Sequence, residues 1–338
     1  MRATVRPRPR LRRVAAATSL MLGFAICLAL FATAPALGVR ADVQAAQEDP
    51  VVVAAGDLAC QSLPSGRGTA TCESGAVANL VRRIAPDRFL ALGDLQYNNG
   101  KLSEFLRVWD VQFGDLRDIT APIPGNHEYG TSDAAGYFAY FGEIAAPPHG
   151  YYSFDLGAWH IVALNSAVCG DDPGCGPGSP QYEWLVNDLA ANAGHSCTLA
   201  MMHHPRYDWR PYQKWVVDDG TTQFGGSSTD PVVPFWEALH AAGVELVLNG
   251  DNHLYQRWAP QDAQGNAVEG GTVQFTVGTG GRMLYQYGRP PRPENLEVTQ
   301  NDAFGVVKLT LHESGYTHEW VSAPRQPGFE DGGTVACS

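Results

Sequence analysis

Short apolar runs alternate with polar turns along this chain, and five of the runs end in Asp, Asn or His. Each run is four to six residues long and rich in aliphatic side chains, which is typical of strands buried on both faces. With their polar ends the runs are VVVAAGD (51–57), RFLALGD (88–94), APIPGNHE (121–128), CTLAMMHH (197–204) and VELVLNGD (244–251). The pattern predicts five central strands with polar tips.

Segments with helical spacing separate most of these runs. Apolar residues recur every three to four positions in GAVANLVRRIA (75–85), PQYEWLVNDLAAN (180–192) and VVPFWEALHAAG (232–243). Strand, loop, helix and strand in this order indicate a mostly parallel sheet covered by helices. Ligands of such sheets bind beyond the carboxyl ends of the strands, so we expect the polar tips to converge on one edge.

Two further stretches have the alternation of antiparallel hairpins. GYYSFDLGAWHIVALNS (150–166) turns at Gly157, and FGVVKLTLHESGYTHEWVSA (304–323) turns at Gly315. Hairpins added to βαβ units predict a four-layer αββα sandwich of the α/β (α+β) class, in which two mixed sheets pack face to face with helices outside. The Pro- and Gly-rich stretches 171–180 and 287–295 are expected to be irregular surface loops.

The N-terminal segment has the composition of an export signal. Residues 1–41 contain seven arginines and no acidic residue, and residues 14–39 are uncharged. We predict a signal peptide at 1–41, although the apolar stretch is long enough for an uncleaved membrane anchor. The pair Arg12–Arg13 is compatible with twin-arginine export. The expected location is therefore secreted, periplasmic or in the cell envelope, with membrane contact only if the segment is uncleaved.

The remainder, residues 42–338, has the length of one large domain and is acidic. It carries sixteen Lys and Arg against thirty-five Asp and Glu, a formal net charge of −19. Such a surface repels a polyanion, which argues against nucleic acid as a partner.

Six cysteines remain after the signal segment, an even number in an oxidising compartment, which favours disulfides over a thiolate metal site. Closeness in sequence favours Cys60 with Cys72 and Cys169 with Cys175, which leaves Cys197 and Cys337 to pair. Fifteen pairings are possible in principle, so this set is a preference.

The polar tips carry side chains that bind metal ions through oxygen and nitrogen. They are Asp57, Asp94, Tyr97, Asn126, His127, His203, His204, Asp251 and His253. A set without sulfur suits Mn, Zn or Fe. Each residue alone has a simpler interpretation, since Asp after Gly often caps a helix and a single His is often packed in a core. Their recurrence at five tips favours a metal centre at the strand ends.

In this order, the motifs GDLAC, GDLQY, GNHE, MMHHP and GDNHLY resemble those of calcineurin-like metallophosphoesterases, and more narrowly the purple acid phosphatase branch. The resemblance covers residues 51–323. It implies a secreted phosphatase with two metal ions that hydrolyses small phosphate esters, monoesters above all, by in-line attack of metal-bound hydroxide. It also suggests a bacterial-type enzyme with the catalytic domain only.

The resemblance implies Fe(III) in a first site. Its ligands would be Asp57, Asp94, Tyr97 and His253. Many relatives have a His two residues after the first Asp, where this chain has Ala59, and Tyr97 would supply the missing ligand. The alternative for Tyr97 is an ordinary tyrosine before a turn.

A second site would share the Asp94 carboxylate and hold Fe(II), Mn, Zn or Mg. Its other ligands would be Asn126, His203 and Asp251. The resemblance further implies that His127 is catalytic, donating to the leaving alkoxide or hydrogen-bonding the phosphate, and that His204 binds substrate, although an indifferent surface role for His204 stays open.

Asp251 is the main departure from the family pattern, which has Gly-His-x-His where this chain has Gly-Asp-Asn-His. A carboxylate in place of an imidazole adds negative charge and favours Mn, Fe or Mg over Zn. It also keeps open a second function, a weakly active or non-catalytic protein that binds a single metal ion. Another metal-dependent hydrolase, such as an amidase, has no motif in its favour.

A glycine cluster lies further along, in QFTVGTGGRM (274–283). Gly278, Gly280 and Gly281 either let backbone approach the site closely or form a plain turn.

Overall fold

The computed structural model describes residues 48–63, 72–171, 174–209, 213–216, 222–225, 230–285 and 291–338, all within the unit Gln47–Ser338. The predicted signal segment at 1–41 lies outside the described residues. Across the ranges just given, no helix has the length and apolarity that a membrane span requires.

Fifteen strands occur in the described ranges. They are β1 (Val51–Ala55), β2 (Arg88–Leu92), β3 (Thr120–Ile123), β4 (Tyr152–Leu156), β5 (Trp159–Leu164), β6 (Cys197–Met202), β7 (Gln213–Val216), β8 (Thr222–Gly225), β9 (Leu246–Asn249), β10 (Tyr255–Trp258), β11 (Val273–Val277), β12 (Leu296–Gln300), β13 (Gly305–His312), β14 (Gly315–Ser322) and β15 (Gly332–Ala336). The five predicted central strands are β1, β2, β3, β6 and β9, and the two predicted hairpins are β4–β5 and β13–β14.

Thirteen of these strands form two mixed sheets. The first has the order β15-β14-β13-β1-β2-β3, the second has the order β12-β10-β11-β9-β6-β5-β4, and β7 pairs with β8 apart from both. β1, β2 and β3 are parallel to one another, as are β5, β6, β9 and β11. The predicted combination of parallel strands and added hairpins is confirmed.

The α-helices of the described ranges are α1 (Ser74–Ile84), α2 (Leu102–Glu104), α3 (Asp110–Phe113), α4 (Ala135–Phe141), α5 (Pro180–Ala191) and α6 (Val233–Ala241). α1, α5 and α6 are the three predicted ones. A π-helical turn, Phe105–Trp109, joins α2 to α3, and this helical segment, for which we made no prediction, buries Phe105, Trp109 and Phe113. Its aromatic side chains pack against the core of the first sheet.

Alternation along the central strands of the second sheet explains the layers. In β5, Ile161 and Ala163 belong to the cluster shared with the first sheet, whereas Val162 and Leu164 pack with residues of α5 and α6. β6 and β9 alternate in the same way. Because both faces of these strands are covered, nearly every position is apolar. The predicted αββα arrangement is confirmed.

All three predicted disulfides are present: Cys60–Cys72, Cys169–Cys175 and Cys197–Cys337. The third joins the start of β6 to the residue after β15, and so connects the second sheet to the outer edge of the first.

The Cys197–Cys337 bond is expected to stabilise the fold more than Cys169–Cys175, because the two loops span 140 and 6 residues. In the chain-entropy model the losses on mutation to serine are about 5 and about 2 kcal/mol respectively. Urea unfolding of Cys197→Ser/Cys337→Ser and of Cys169→Ser/Cys175→Ser measures both. Equal losses for the two pairs would contradict a loop-length origin.

Candidate metal centre

The polar tips lie at the carboxyl ends of the parallel strands. Asp57 and Asp94 each follow the last residue of β1 or β2 by two positions. His203 directly follows β6, and Asp251 follows β9 by two positions. The backbone N–H of Asp57 donates to the Gly93 carbonyl, which ties the first two tips together. Parallel strands thus bring these side chains to one edge, as predicted.

Three of the tip carboxylates have left-handed backbones. The φ angles are 59° at Asp57, 49° at Asp94 and 64° at Asp251. Asp adopts this region more readily than most residues, but still at a cost of about 1–2 kcal/mol each. Strained backbones of this kind are concentrated at functional sites.

Three atoms that can bind a metal ion surround the Tyr97 hydroxyl. Its oxygen lies 2.7 Å from Asp57 Oδ1, 2.9 Å from Asp94 Oδ2 and 2.9 Å from His253 Nε2. His253 Nε2 is in turn 3.0 Å from Asp57 Oδ1. One phenol hydrogen cannot satisfy all these atoms. Neighbouring ligands of a cation with bonds of about 2.1 Å lie roughly 3 Å apart, so the spacing fits a shared cation.

Backbone carbonyls orient both histidines. His253 Nδ1 lies 2.7 Å from the Met283 oxygen, and His203 Nδ1 lies 2.8 Å from the Leu92 oxygen. Because a carbonyl only accepts, each Nδ1 carries the hydrogen, and Nε2 of each ring faces the carboxylates. This is the arrangement that metal-binding histidines require.

Among the predicted ligands in the described part of the chain, Asp57 Oδ2 and His203 Nε2 are buried and have no hydrogen-bond partner. His203 Nε2 is 3.5 Å from Asp94 Oδ1 and 3.9 Å from Asp251 Oδ1. Leaving such atoms unpaired costs about 1–3 kcal/mol each. A cation between the carboxylates would satisfy them, so the residues fit a metal ion.

Asp94 connects two donor groups through its two oxygens. Oδ2 faces Tyr97 at 2.9 Å, whereas Oδ1 faces His203 at 3.5 Å and accepts the His127 backbone N–H at 2.9 Å. Asp94 is 2% exposed, so neither oxygen competes with bulk water. The two oxygens of the carboxylate thus face different metal-binding side chains.

The charges of the cluster shift its pKa values strongly. Burial opposes ionisation of Asp94, but the charge of the neighbouring His203 and the hydrogen bond from the His127 backbone N–H lower its pKa. Burial likewise opposes the charge of His203, yet Asp94 raises the His203 pKa to about 9. Burial first, and then Asp57 and Asp94, raise the Tyr97 pKa well above its usual value. The buried charges of the cluster therefore interact strongly, and a cation bound among them would have to displace these protons.

The other predicted residues lie around this cluster. His127 is one-third exposed, its Nδ1 contacts the Asn98 carbonyl, and its Nε2 lies 3.8 Å from Asp94 Oδ2. Asn126 is exposed and sits between two residues, Gly125 and His127, that contact Asp94. Ring atoms of His203 and His204 lie within 4.8 Å of an Asp251 oxygen.

Glu128 is a buried residue of the site that sequence analysis did not single out. Its carboxylate accepts the backbone N–H of Gln96 at 3.0 Å and that of Gly125 at 2.8 Å. Burial, and then the charge of Asp94, raise the Glu128 pKa to about 8. Glu128 thus joins the loops after β2 and β3. The only sequence signal was its place in GNHE.

The glycine cluster is explained by close backbone approach. A Cβ on Gly278 would lie 2.2 Å from the Asn252 oxygen and 2.8 Å from Asp57 Oδ2. A Cβ on Gly280 would lie 2.3 Å from the Gly56 oxygen. Of the two interpretations left open above, the loop against the site is correct.

Comparison with known proteins agrees with this geometry. Probable purple acid phosphatase 20 of Arabidopsis thaliana is 27% identical over 251 residues, which are 69% of this chain and 55% of that protein. Purple acid phosphatase 15 of the same plant is 27% identical over 215 residues, or 54% of this chain and 37% of that protein. The structure of a purple acid phosphatase from yellow lupin (Lupinus luteus) seeds has a TM-score of 0.66 at 19% identity, covering 85% of this chain and 53% of that one.

The chain spans about half the length, or less, of the curated relatives it matches. The likeness to the lupin structure shows the fold. Residues 47–255, more than half of the sequence, match the profile of calcineurin-like phosphoesterases. The chain therefore belongs to the calcineurin-like phosphoesterase family.

Proposed function

We propose that this protein is a secreted phosphatase that hydrolyses phosphate esters, monoesters in preference to diesters, with two metal ions. The observation that carries the proposal is the position of Asp94, whose two oxygens face separate groups of buried metal-binding atoms. Two cations held by one carboxylate suit an in-line displacement at phosphorus. The similarity to purple acid phosphatases supports the same reaction.

The first cation would be Fe(III). Its ligands are Asp57, Asp94, Tyr97 and His253, whose nearest atoms lie 2.7–3.0 Å apart. Burial and carboxylates oppose loss of the Tyr97 proton by raising its pKa, and a trivalent cation offsets that effect best.

The second cation would be Fe(II), Mn, Zn or Mg. Its ligands are Asp94, Asn126, His203 and Asp251. His203 contributes the orphaned Nε2, and Asp251 adds a second carboxylate to this side. More negative charge favours the harder members of that set.

Two cations held by these residues would supply an acidified water molecule and positive charge for the phosphoryl oxygens. The protein supplies orientation and protons. The Asn98 carbonyl holds His127 with Nε2 toward the site, from which a protonated ring donates to the leaving alkoxide. Ser166 accepts the His204 backbone N–H and lies 3.0 Å from His204 Nδ1. If the Ser166 hydroxyl donates to Nδ1, His204 Nε2 carries a hydrogen for a phosphate oxygen.

A cavity of about 380 Å³ offers room for the alcohol portion of the ester. Its lining includes Tyr129, His149 and Asn165. Tyr129 follows His127 by two residues, and Asn165 precedes Ser166, which contacts His204. The aromatic lining suits a flat or apolar leaving group.

Export is supported by the three disulfides, since such bonds persist in oxidising compartments. The composition of residues 1–41 supports the same location.

Metal analysis and hydrolysis of p-nitrophenyl phosphate by the purified protein test the proposal. Turnover and two metal ions per chain at the carboxyl-end centre are expected. A single-metal binding protein is the second candidate, favoured by Asp251 in place of the family histidine. One metal ion per chain and no turnover with Mn, Zn, Fe or Mg would establish that candidate instead.

Tyr97→Phe is expected to abolish the visible absorption of an iron-loaded protein. Phenylalanine keeps the ring but removes the oxygen that lies 2.7–2.9 Å from three donor atoms. Absorption spectra of wild-type and variant protein at equal iron content measure the effect.

Tyr137→Phe is the matched control, because Tyr137 is also buried but donates to the Pro122 carbonyl. The control should keep the wild-type spectrum. If Tyr97→Phe keeps it too, Tyr97 is not an iron ligand.

A further inference from the structure

Three residues at the opposite edge of the second sheet form a second cluster of metal-binding side chains. His160 is the second residue of β5, and His195 lies two positions before β6, so both are at the amino ends of parallel strands. Asp155 lies opposite His160 in the β4–β5 hairpin. We infer that Asp155, His160 and His195 bind a divalent cation of the zinc type, at a site separate from the centre at the carboxyl ends.

The candidate ligand atoms of the three residues lie close enough together to bind one cation. His160 Nδ1 is 2.8 Å from Asp155 Oδ1, and His195 Nε2 is 3.6 Å from the same oxygen. The three atoms all lie within 4.8 Å of one another. A cation with bonds of about 2.1 Å brings such atoms to roughly 3.4 Å separations in tetrahedral geometry, so only small side-chain movements are needed.

Asp188 fixes the orientation of the buried histidine. The His160 side chain is 3% exposed, and its Nε2 lies 2.9 Å from Asp188 Oδ2. Asp188 Oδ1 accepts the Ser153 hydroxyl at 2.7 Å, which holds the carboxylate in place. With the hydrogen on Nε2, the lone pair of Nδ1 faces Asp155. In many zinc sites a carboxylate accepts the N–H of the histidine whose other nitrogen binds the metal ion. Asp188 has this position relative to His160, and so acts as the residue that orients the ring.

The contact between His160 Nδ1 and Asp155 needs a positive charge in any case. A neutral imidazole has one N–H, and that one points to Asp188, so Nδ1 and the Asp155 oxygen both present lone pairs. Either a second proton or a cation must lie between them. His195 places its Nε2 3.6 Å from the same oxygen, so a cation at this point would gain a second imidazole ligand.

The chemistry of the three ligands selects the ion. Two imidazoles and one carboxylate are borderline donors that suit Zn(II), whereas Ca(II) and Mg(II) prefer all-oxygen sites. Asp155 and His195 are 57% and 25% exposed in their side chains, so an ion and its water can enter. The ion would connect the β4–β5 hairpin to the segment before Cys197, and thus act in stability.

Zinc titration of the full, metal-stripped protein tests the site, with Asp155→Asn/His195→Gln as the variant. We expect the variant to bind one zinc ion fewer per chain. At zinc concentrations a hundredfold above Kd we also expect its Tm to rise by about 4 °C less than that of the wild type. Phosphatase activity should be unchanged, because the substituted residues lie at the amino ends of the parallel strands and the catalytic centre lies at their carboxyl ends. Zinc that binds at the carboxyl-end centre contributes equally to both proteins, so it does not affect the difference between their zinc counts.

The control is Asp49→Asn/His312→Gln, which removes an exposed Asp–His pair, 2.6 Å apart, that is in none of the described metal-binding groups. It should keep the wild-type zinc count. Equal zinc counts and Tm shifts in wild type and Asp155→Asn/His195→Gln would overturn the inference. If the double variant is unfolded, the single Asp155→Asn change at the more exposed position gives the same comparison.

Discussion

Asp94→Asn is expected to lower kcat/KM for a phosphate monoester by at least about 10⁴-fold, or about 5.4 kcal/mol of transition-state stabilisation. The amide keeps the shape of the carboxylate but removes its charge and one acceptor oxygen. Because Oδ1 and Oδ2 face different donor groups, the change weakens both proposed cation sites at once. Steady-state kinetics and metal content of the same preparation measure the two effects.

The control for this change is Asp118→Asn, at an exposed carboxylate just before β3, at the far end of that strand from the site. It should retain wild-type activity. Asp94 is also buried beside His203, so circular dichroism must establish that the variant is folded. A folded Asp94→Asn protein with two metal ions and activity within tenfold of wild type would refute the bridging role.

The position of the site could be predicted because it depends on topology. Asp57, Asp94, His203 and Asp251 each follow an apolar run, and the carboxyl ends of parallel strands meet at one edge. Neither step needs knowledge of side-chain contacts. The same reasoning placed the hairpins, since alternation about Gly157 and Gly315 is local.

The residues that hold the site in place could not be predicted. The Leu92 and Met283 carbonyls orient His203 and His253, but every residue has a carbonyl, and 111 and 30 positions separate the partners. In the sequence, Glu128 is indistinguishable from an exposed acidic residue. Its burial depends on the packing of loops that are distant in the sequence. Contacts of this kind arise from the tertiary structure.

His160 shows the same limit. Its strand, WHIVAL, reads as an apolar run with one polar residue. Only the packing of α5 brings Asp188 to 2.9 Å from its ring. The left-handed backbone conformations of Asp57, Asp94 and Asp251 could not be predicted from the sequence either, although Gly–Asp at the end of a strand is compatible with them.

Asp251→His is expected to raise zinc affinity at the second cation site by at least tenfold, about 1.4 kcal/mol, and to preserve or increase zinc-supported hydrolysis. Imidazole is a better zinc donor than carboxylate, and the change restores the family's Gly-His-x-His. The φ angle of 64° at this position is one that histidine tolerates better than most residues. Calorimetric zinc titration and kinetics with Zn or Mn measure the change in preference.

Removal of the carboxylate charge should also move the acid limb of the pH–rate profile to lower pH. A cation with one negative ligand fewer attracts electrons from its water more strongly. Asp251→Asn separates the two effects, because it removes the charge without supplying an imidazole, and it should shift the pH profile while leaving the Zn-to-Mn preference closer to that of wild type. Asp251 Oδ1 lies 3.9 Å from His203 Nε2, within reach of a shared cation. If Asp251→His instead abolishes metal binding while the protein stays folded, the carboxylate has a role that no family histidine can replace, and its assignment as the altered ligand is wrong.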